Sequence, residues 1–354
     1  MSSGDHTGGV SGTRQRILVT GANGQVGWEL LRALRGLGEV VPAARGPEIL
    51  TAAGRSLASD LTDPEGLRQL VRSVQPTLIV NAAAHTAVDK AETEPELATS
   101  INAIAPGVLA EEAKRIGAAM IHFSTDYVFD GSGTTARTES DPTGPLGVYG
   151  RSKLAGELAI EASDVPHAIL RTSWVYGVHG HNFVKTMLRL GSEREQLSVV
   201  ADQIGAPTSA RAIAEATAAL VASCQGHVQE TLAAKGGVFH FCCGGETSWY
   251  EFAVSIFEAA RKVGHPLKVR SVRAIASHEY PTPAQRPRNS RLDCGRAART
   301  FGVQLPHWQA AFDDTFPALF QQWHASTRSV GAPHILTFPA GKRVVTPGPQ
   351  GQGS

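Results

Sequence analysis

Along residues 14 to 240, short apolar runs alternate with amphipathic stretches. The runs RILVT at 16–20, EVVPA at 39–43, TLIVN at 77–81, AMIHFS at 119–124, HAILRT at 167–172, LSVV at 197–200 and VFHFC at 238–242 read as strands. Most are apolar at successive positions rather than every second one, as strands covered on both faces are. Helices are predicted to begin near Gln25, Pro64, Pro95, Gly147, Asn182, Ala210 and Ser248. Strand and helix in turn predict an α/β fold built on a doubly wound parallel sheet of these runs. Ligands of such folds bind beyond the carboxyl ends of the strands, so the residues that follow each run are where chemistry is expected.

The pattern loosens over 178–207 and 241–323, which are richer in Pro, Arg and aromatic residues. These segments are expected to form a smaller, discontinuous substrate domain beside a main domain of 14–177 and 208–240. Residues 1–13 and 324–354 are Gly-, Ser- and Pro-rich with little periodicity, and are expected to be disordered tails. A formal net charge of +1 offers no polybasic field, so neither nucleic acid nor an acidic membrane surface is an expected partner. Cys224, Cys242, Cys243 and Cys294 fit no spaced metal quartet and are expected to be reduced thiols. The N-terminal MSSGDHTGGVSGTRQR has no apolar signal region, and no stretch approaches the roughly 18 apolar residues of a membrane span, so a cytoplasmic protein is expected.

Directly after the first strand comes Gly21-Ala22-Asn23-Gly24-Gln25-Val26-Gly27, and then an amphipathic helix. Glycines at spacing three permit a tight turn, close approach of the backbone to a pyrophosphate, and close packing of helix on strand. The helix N-terminus adds free N–H groups and the positive end of a dipole. In a chain with 37 glycines the string alone is weak, but its place between first strand and first helix marks a Rossmann-type dinucleotide site. Asn23, Gln25 and Val26 would join the glycines around the cofactor. Near the end of the second strand, where an NAD-preferring protein places an acid, this chain has Arg45, with Arg55 nearby. A guanidinium fork suits a 2′-phosphate, which tilts the cofactor toward NADPH with NADH still allowed; the alternative is a solvated loop arginine. Asp60 and Leu61 lie farther on, and Asp60 either meets the adenine or is a loop acid.

Tyr149 and Lys153 are four apart and so project from one face of the helix expected to begin at Gly147. Upstream, HFSTDYVF at 122–129 puts hydroxyls at the carboxyl end of the fourth run. Hydride addition to a ketone leaves negative charge on oxygen, which needs a proton. Tyr149 is the expected donor, and Lys153 is expected to lower the phenol's pKa while holding the nicotinamide ribose. The Thr125 hydroxyl would hydrogen-bond the developing alkoxide. His85, between Ala84 and Thr86, reads as a structural histidine rather than a catalytic one.

Together the blocks TGANGQVGWEL, VNAAAHTAVDKAETEPELA, STDYVFDG, VYGRSKLAGE, LRTSWVYG, NFVKTMLRL, DQIGAPT and YPTPAQRPRNSRLD closely resemble the dTDP-4-dehydrorhamnose reductases, which are extended short-chain dehydrogenases. The resemblance runs from about Arg16 to about Trp323. It implies reduction of dTDP-4-dehydro-L-rhamnose to dTDP-L-rhamnose with NAD(P)H, the last step in making that activated sugar. It also implies Thr125, Tyr149 and Lys153 as the catalytic set, and Ala82, Ala83 and Ala84 as a turn beside the cofactor. Thr86, Asp126, Tyr127 and Trp174 would contact the sugar, and Asn182 and Arg286 the nucleotide diphosphate. In physical terms Trp174 offers a flat apolar wall and Arg286 a fork for a pyrophosphate, against a core tryptophan and a surface ion pair. The resemblance further allows a homodimer and a magnesium ion, for which no ligand set maps onto this chain. Two departures stand out: the stretch 45–59 is long, and Arg288 stands where a small residue is expected.

Two rival readings share the fold. A nucleotide-sugar epimerase or dehydratase is one; a dehydratase needs an acid–base carboxylate pair after its Thr, and here Tyr127, not Glu, follows Asp126. A non-catalytic, cofactor-binding regulatory subunit is the other, against which the intact Thr125, Tyr149 and Lys153 argue.

Overall fold

The computed structural model describes residues 15–46 and 48–329, with the backbone alone for 327–329. Its main sheet has the strands β1 (Arg16–Thr20), β2 (Glu39–Ala44), β3 (Leu57–Ala58), β4 (Leu78–Asn81), β5 (Ala119–Thr125), β6 (His167–Thr172) and β7 (Gly237–His240). They lie in the order β3-β2-β1-β4-β5-β6-β7, and every neighbouring pair is parallel. The chain runs outward from β1 to β3, then crosses back to lay β4 on the other side of β1. That reversal opens a crevice at the carboxyl ends of β1 and β4.

Alternation within the strands builds two cores. Ile17, Val19, Val80, Ile121 and Leu170 share a core with the helices Gln25–Ala33, Ala210–Ser223 and Val228–Lys235. Leu18, Ile79, Met120 and Ile169 face Pro64–Val74 and Ala105–Ile116. Because successive side chains point to opposite faces, a sheet covered on both sides buries every position, and all seven residues of β5 are buried, His122, Ser124 and Thr125 among them.

The run at 197–200 is the exception. Gln196–Val200 lies outside the main sheet and pairs with Ser271–Ile275 in a separate two-stranded sheet. Its burial alternates, with Gln196 and Ser198 exposed and Leu197 and Val199 buried, so it has one wet face and does not suit the sheet interior. The seventh place in the sheet goes instead to the short edge strand β3. The long stretch after Arg45 is accounted for by the hairpin Leu50–Thr51 with Gly54–Arg55, which leads into that strand.

Outside the main sheet, Ile204–Gly205 pairs with Thr247–Ser248, and helix Phe183–Glu193 packs on Trp249–Lys262. The last helix, Trp308–Ser329, continues past Trp323 into the stretch expected to be a tail, anchored by buried Phe312, Phe316 and Leu319. The expected tails at 1–13 and from 330 onward lie outside the described residues. Among the described residues no helix is long and apolar enough to cross a membrane.

Candidate active site

The three glycines after β1 do three different things. Gly21 has φ +70°, and a Cβ there would lie 2.7 Å from the Ala83 backbone nitrogen, so only glycine fits. Gly24 is the N-cap of helix Gln25–Ala33 and has no side chain over the helix's free N–H groups. At Gly27 a Cβ would sit 2.0 Å from the Gly21 carbonyl oxygen, so its absence lets helix and turn touch. Gly27 therefore stays behind the turn, while Gly21, Asn23, Gly24, Gln25 and Val26 face a cleft of about 980 Å3. A dinucleotide pyrophosphate suits this cradle, which offers open N–H groups at a helix N-terminus.

The same cleft is lined by Arg45, Asp60 and Leu61 and by the Ala82–Ala84 turn after β4. Asp60 accepts from the Thr62 N–H (2.9 Å) and hydroxyl (2.7 Å), which holds its pKa below the usual value and makes it a turn-forming acid as well as a wall. Arg55 is tied to Glu48 at 2.9 Å and does not join Arg45. His85 is held from behind: its backbone N–H donates to Asn102 Oδ1 (2.8 Å) and its carbonyl accepts from Asn102 Nδ2 (3.0 Å). Its ring lies 3.3 Å from Glu94.

Thr125, Asp126, Tyr127, Tyr149 and Lys153 also line the cleft, joined by Thr86 and Trp174. The Thr125 hydroxyl donates to Asp126 at 3.1 Å and accepts the Tyr127 N–H at 3.2 Å. Tyr127 meets Tyr149 edge to face, with ring centres 5.4 Å apart. Burial raises the Tyr149 phenol to about 12, a hydrogen bond with Thr125 working against it. Burial likewise lifts Tyr127, raises Asp126 to about 6 and lowers Lys153 to about 8. The expected lowering of the phenol's pKa by Lys153 is thus not what this arrangement shows. The lysine Nζ instead donates to the Phe123 carbonyl at 2.6 Å and lies 3.0 Å from His122 Nε2, so its polar contacts are made away from the phenol.

Three expected contacts are placed differently. Asn182 does not line the cleft: it caps helix Phe183–Glu193 through Lys185 N (3.1 Å) and donates to Gln25 (3.0 Å) and the Gly177 carbonyl (2.8 Å). Arg286 also lies outside the lining and is paired with Asp89 at 2.8 Å. Trp174, at φ +49°, borders the cleft but has one face stacked on Trp249, with centroids 3.6 Å apart and planes 12° from parallel. Arg288 sits 3.9 Å from Asp202 on the surface. Sequence reading missed Trp249, the Asn81–His122 pair behind Lys153, and Ser290, which hydrogen-bonds Asp126. Asn81, His122 and Ser290 lie inside the quoted stretches and Trp249 outside them, but no local pattern shows which distant residue each one meets. A magnesium ion finds no cluster of three or more His, Cys, Asp or Glu among the described residues, and no chemistry here runs through one.

The chain also matches known proteins along most of its length. Residues 15–320 match the family described as RmlD substrate binding domain. The dTDP-4-dehydrorhamnose reductase of Escherichia coli K12 is 46% identical over 304 residues, covering 86% of this chain and 98% of the relative. Among solved structures, a dTDP-4-dehydrorhamnose reductase from Clostridium acetobutylicum has TM-score 0.74 at 36% identity, covering 86% of this chain and all of that one. The Bacillus anthracis enzyme, crystallised in complex with NADP, has TM-score 0.71 at 35% identity, covering 86% and 99%. The chain belongs to the dTDP-4-dehydrorhamnose reductase family.

Proposed function

We propose that Thr125, Tyr149 and Lys153 carry out reduction of the 4-keto group of dTDP-4-dehydro-L-rhamnose in this cleft, with NADPH preferred. One observation carries the assignment: the three side chains converge on the cavity that the glycine turn opens. The nicotinamide cofactor supplies the hydride when bound; what the chain must supply is a proton and a place for negative charge. A phenol raised to about 12 remains protonated throughout the working range, so Tyr149 is a loaded acid next to the ketone oxygen. Thr125 donates a second hydrogen bond as the alkoxide forms. Gly21, Asn23, Gly24, Gln25 and Val26 cradle the pyrophosphate, with Ala82–Ala84 and Leu61 against the rest of the cofactor. Arg45, exposed beside Asp60, receives the 2′-phosphate. Thr86, Asp126, Tyr127 and the uncovered part of Trp174 meet the sugar. Segments 178–207 and 241–323 form the substrate lobe, in which Arg286 reaches the nucleotide diphosphate by exchanging Asp89 for phosphate, and Asn182 acts by holding the loop in place.

The purified full chain with dTDP-4-dehydrorhamnose is the test. NADPH oxidation is expected only when the sugar is added, and faster than NADH oxidation. Cofactor binding without sugar-dependent oxidation would return the chain to a non-catalytic role.

A further inference from the structure

His122 donates nothing to substrate in the scheme above, yet it is buried in β5 and bridges two other polar groups. On one side stands Asn81, at the end of β4. Asn81 Oδ1 accepts the Ala83 backbone N–H at 3.2 Å and the Thr20 hydroxyl at 2.6 Å. A backbone N–H can only donate, which fixes the orientation of the Asn81 amide. Its Nδ2 therefore donates to His122 Nδ1, 2.9 Å away. A histidine that accepts at Nδ1 carries its ring proton on Nε2. That proton faces Lys153 Nζ at 3.0 Å.

An ammonium has no lone pair to receive an N–H, whereas a neutral amine has one. The other contact of Nζ, to the Phe123 carbonyl at 2.6 Å, suits either form. Burial also favours the uncharged forms of both groups, His122 falling well below its ordinary value and Lys153 to about 8. From the neighbouring strand β4, uncharged Asn81 meets His122, and Asn81 in turn accepts from the Thr20 hydroxyl of β1. Glu157, one turn along the lysine's own helix, pulls toward the ammonium. Its carboxylate is shared with Arg171, at 2.6 and 3.0 Å, and with Ser124. Asp126, Tyr127 and Tyr149 border the cleft beyond them.

We propose that His122 is a positioning residue that acts through Lys153: by presenting a ring N–H to Nζ it favours the neutral amine at rest, so that capture of a nicotinamide cofactor is coupled to proton uptake at Lys153. The inference rests on reading the cleft as a nicotinamide site. The proton comes from solvent, adds to the Nζ lone pair and breaks the Nε2–H···Nζ bond, leaving His122 neutral and the ammonium free to serve the cofactor's hydroxyls.

The test is calorimetric titration of cofactor into the full chain near pH 8, without sugar, in buffers of different ionisation enthalpy. Wild type is expected to take up about half a proton per site at a pH matching the resting lysine's midpoint, with NADPH and with NADH alike. Asn81→Asp accepts from both Ala83 N–H and a His122 Nδ1–H, which turns a lone pair on Nε2 toward an ammonium. His122→Gln offers the ammonium a carbonyl oxygen. Either variant, checked by thermal melting to be folded, should bind cofactor with proton uptake abolished, and the basic limb of its rate profile should move to higher pH. Wild-type binding enthalpy that is independent of buffer, or folded variants that take up as much proton as wild type, would overturn the proposal. Proton uptake in a chain that reduces no 4-keto sugar keeps this inference and refutes the assigned reaction; a chain that binds neither cofactor refutes both.

Discussion

Glu112 and Asp126 are both buried carboxyls, and their surroundings move them in opposite directions. Glu112, on helix Ala105–Ile116, receives the Arg72 fork at 2.7 and 3.0 Å and Arg115 at 2.7 Å, and those guanidinium groups hold it down to about 2. Asp126, at the mouth of β5, has hydroxyls and a backbone N–H rather than cations for partners and one oxygen with no partner among the described residues, and burial raises it to about 6. Burial costs the charged form in both places, and what decides the sign is whether cations stand opposite. The helical face spends its charges on holding helices together. The cleft keeps polar groups short of partners, which a polar ligand then supplies.

Four substitutions sharpen or break that contrast. Tyr149→Phe should lower kcat by roughly 10²–10⁴ with the melting temperature undiminished and cofactor affinity kept. A variant that retained more than about a tenth of the activity, measured where chemistry limits turnover, would mean another group donates the proton. Glu112→Gln should do the reverse, costing about 1–3 kcal/mol of stability at neutral pH with kcat unchanged. The folded pKa lies below the unfolded value of 4.5, so this contribution is present above that pH and is lost as pH falls toward 2; chemical unfolding of both proteins at several pH values reads it. Asp126→Asn should stabilise the chain by about 1–2 kcal/mol at neutral pH while weakening sugar binding. Here the folded pKa lies above the unfolded 3.8, so the wild type loses stability as pH rises through 6, and the two proteins should converge in acid. An Asp126→Asn protein that is less stable than wild type at pH 7 would show that the cleft carboxylate is satisfied after all. The smallest effect is expected at exposed Arg45, where Arg45→Ala should weaken NADPH by about tenfold and leave NADH almost unchanged in parallel binding titrations.

Much of the cofactor side was legible because its constraints are local. Gly24 and Gly27 meet Gly21 within one turn, Gly21 itself has a positive φ, and Tyr149 and Lys153 are set by a helical repeat. The run at 197–200, read both as a strand of the wound sheet and as part of segment 178–207, lies outside the main sheet; four residues say little about which sheet they join. The sugar side was less readable. Arg286 meets Asp89 across 197 positions, and Asn182 meets Gln25 across 157. No pattern at either residue announces its partner.

The sequence by itself determined the alternation of strand and helix, the glycine turn and the spacing of acid and lysine, because these depend on the periods of the backbone. Only the tertiary structure decided that His122 stands behind Lys153, that Trp249 covers one face of Trp174 and that burial raises Tyr149. Hydrogen-bond partners, stacking and desolvation depend on which distant segments the fold brings within a few ångströms of each other.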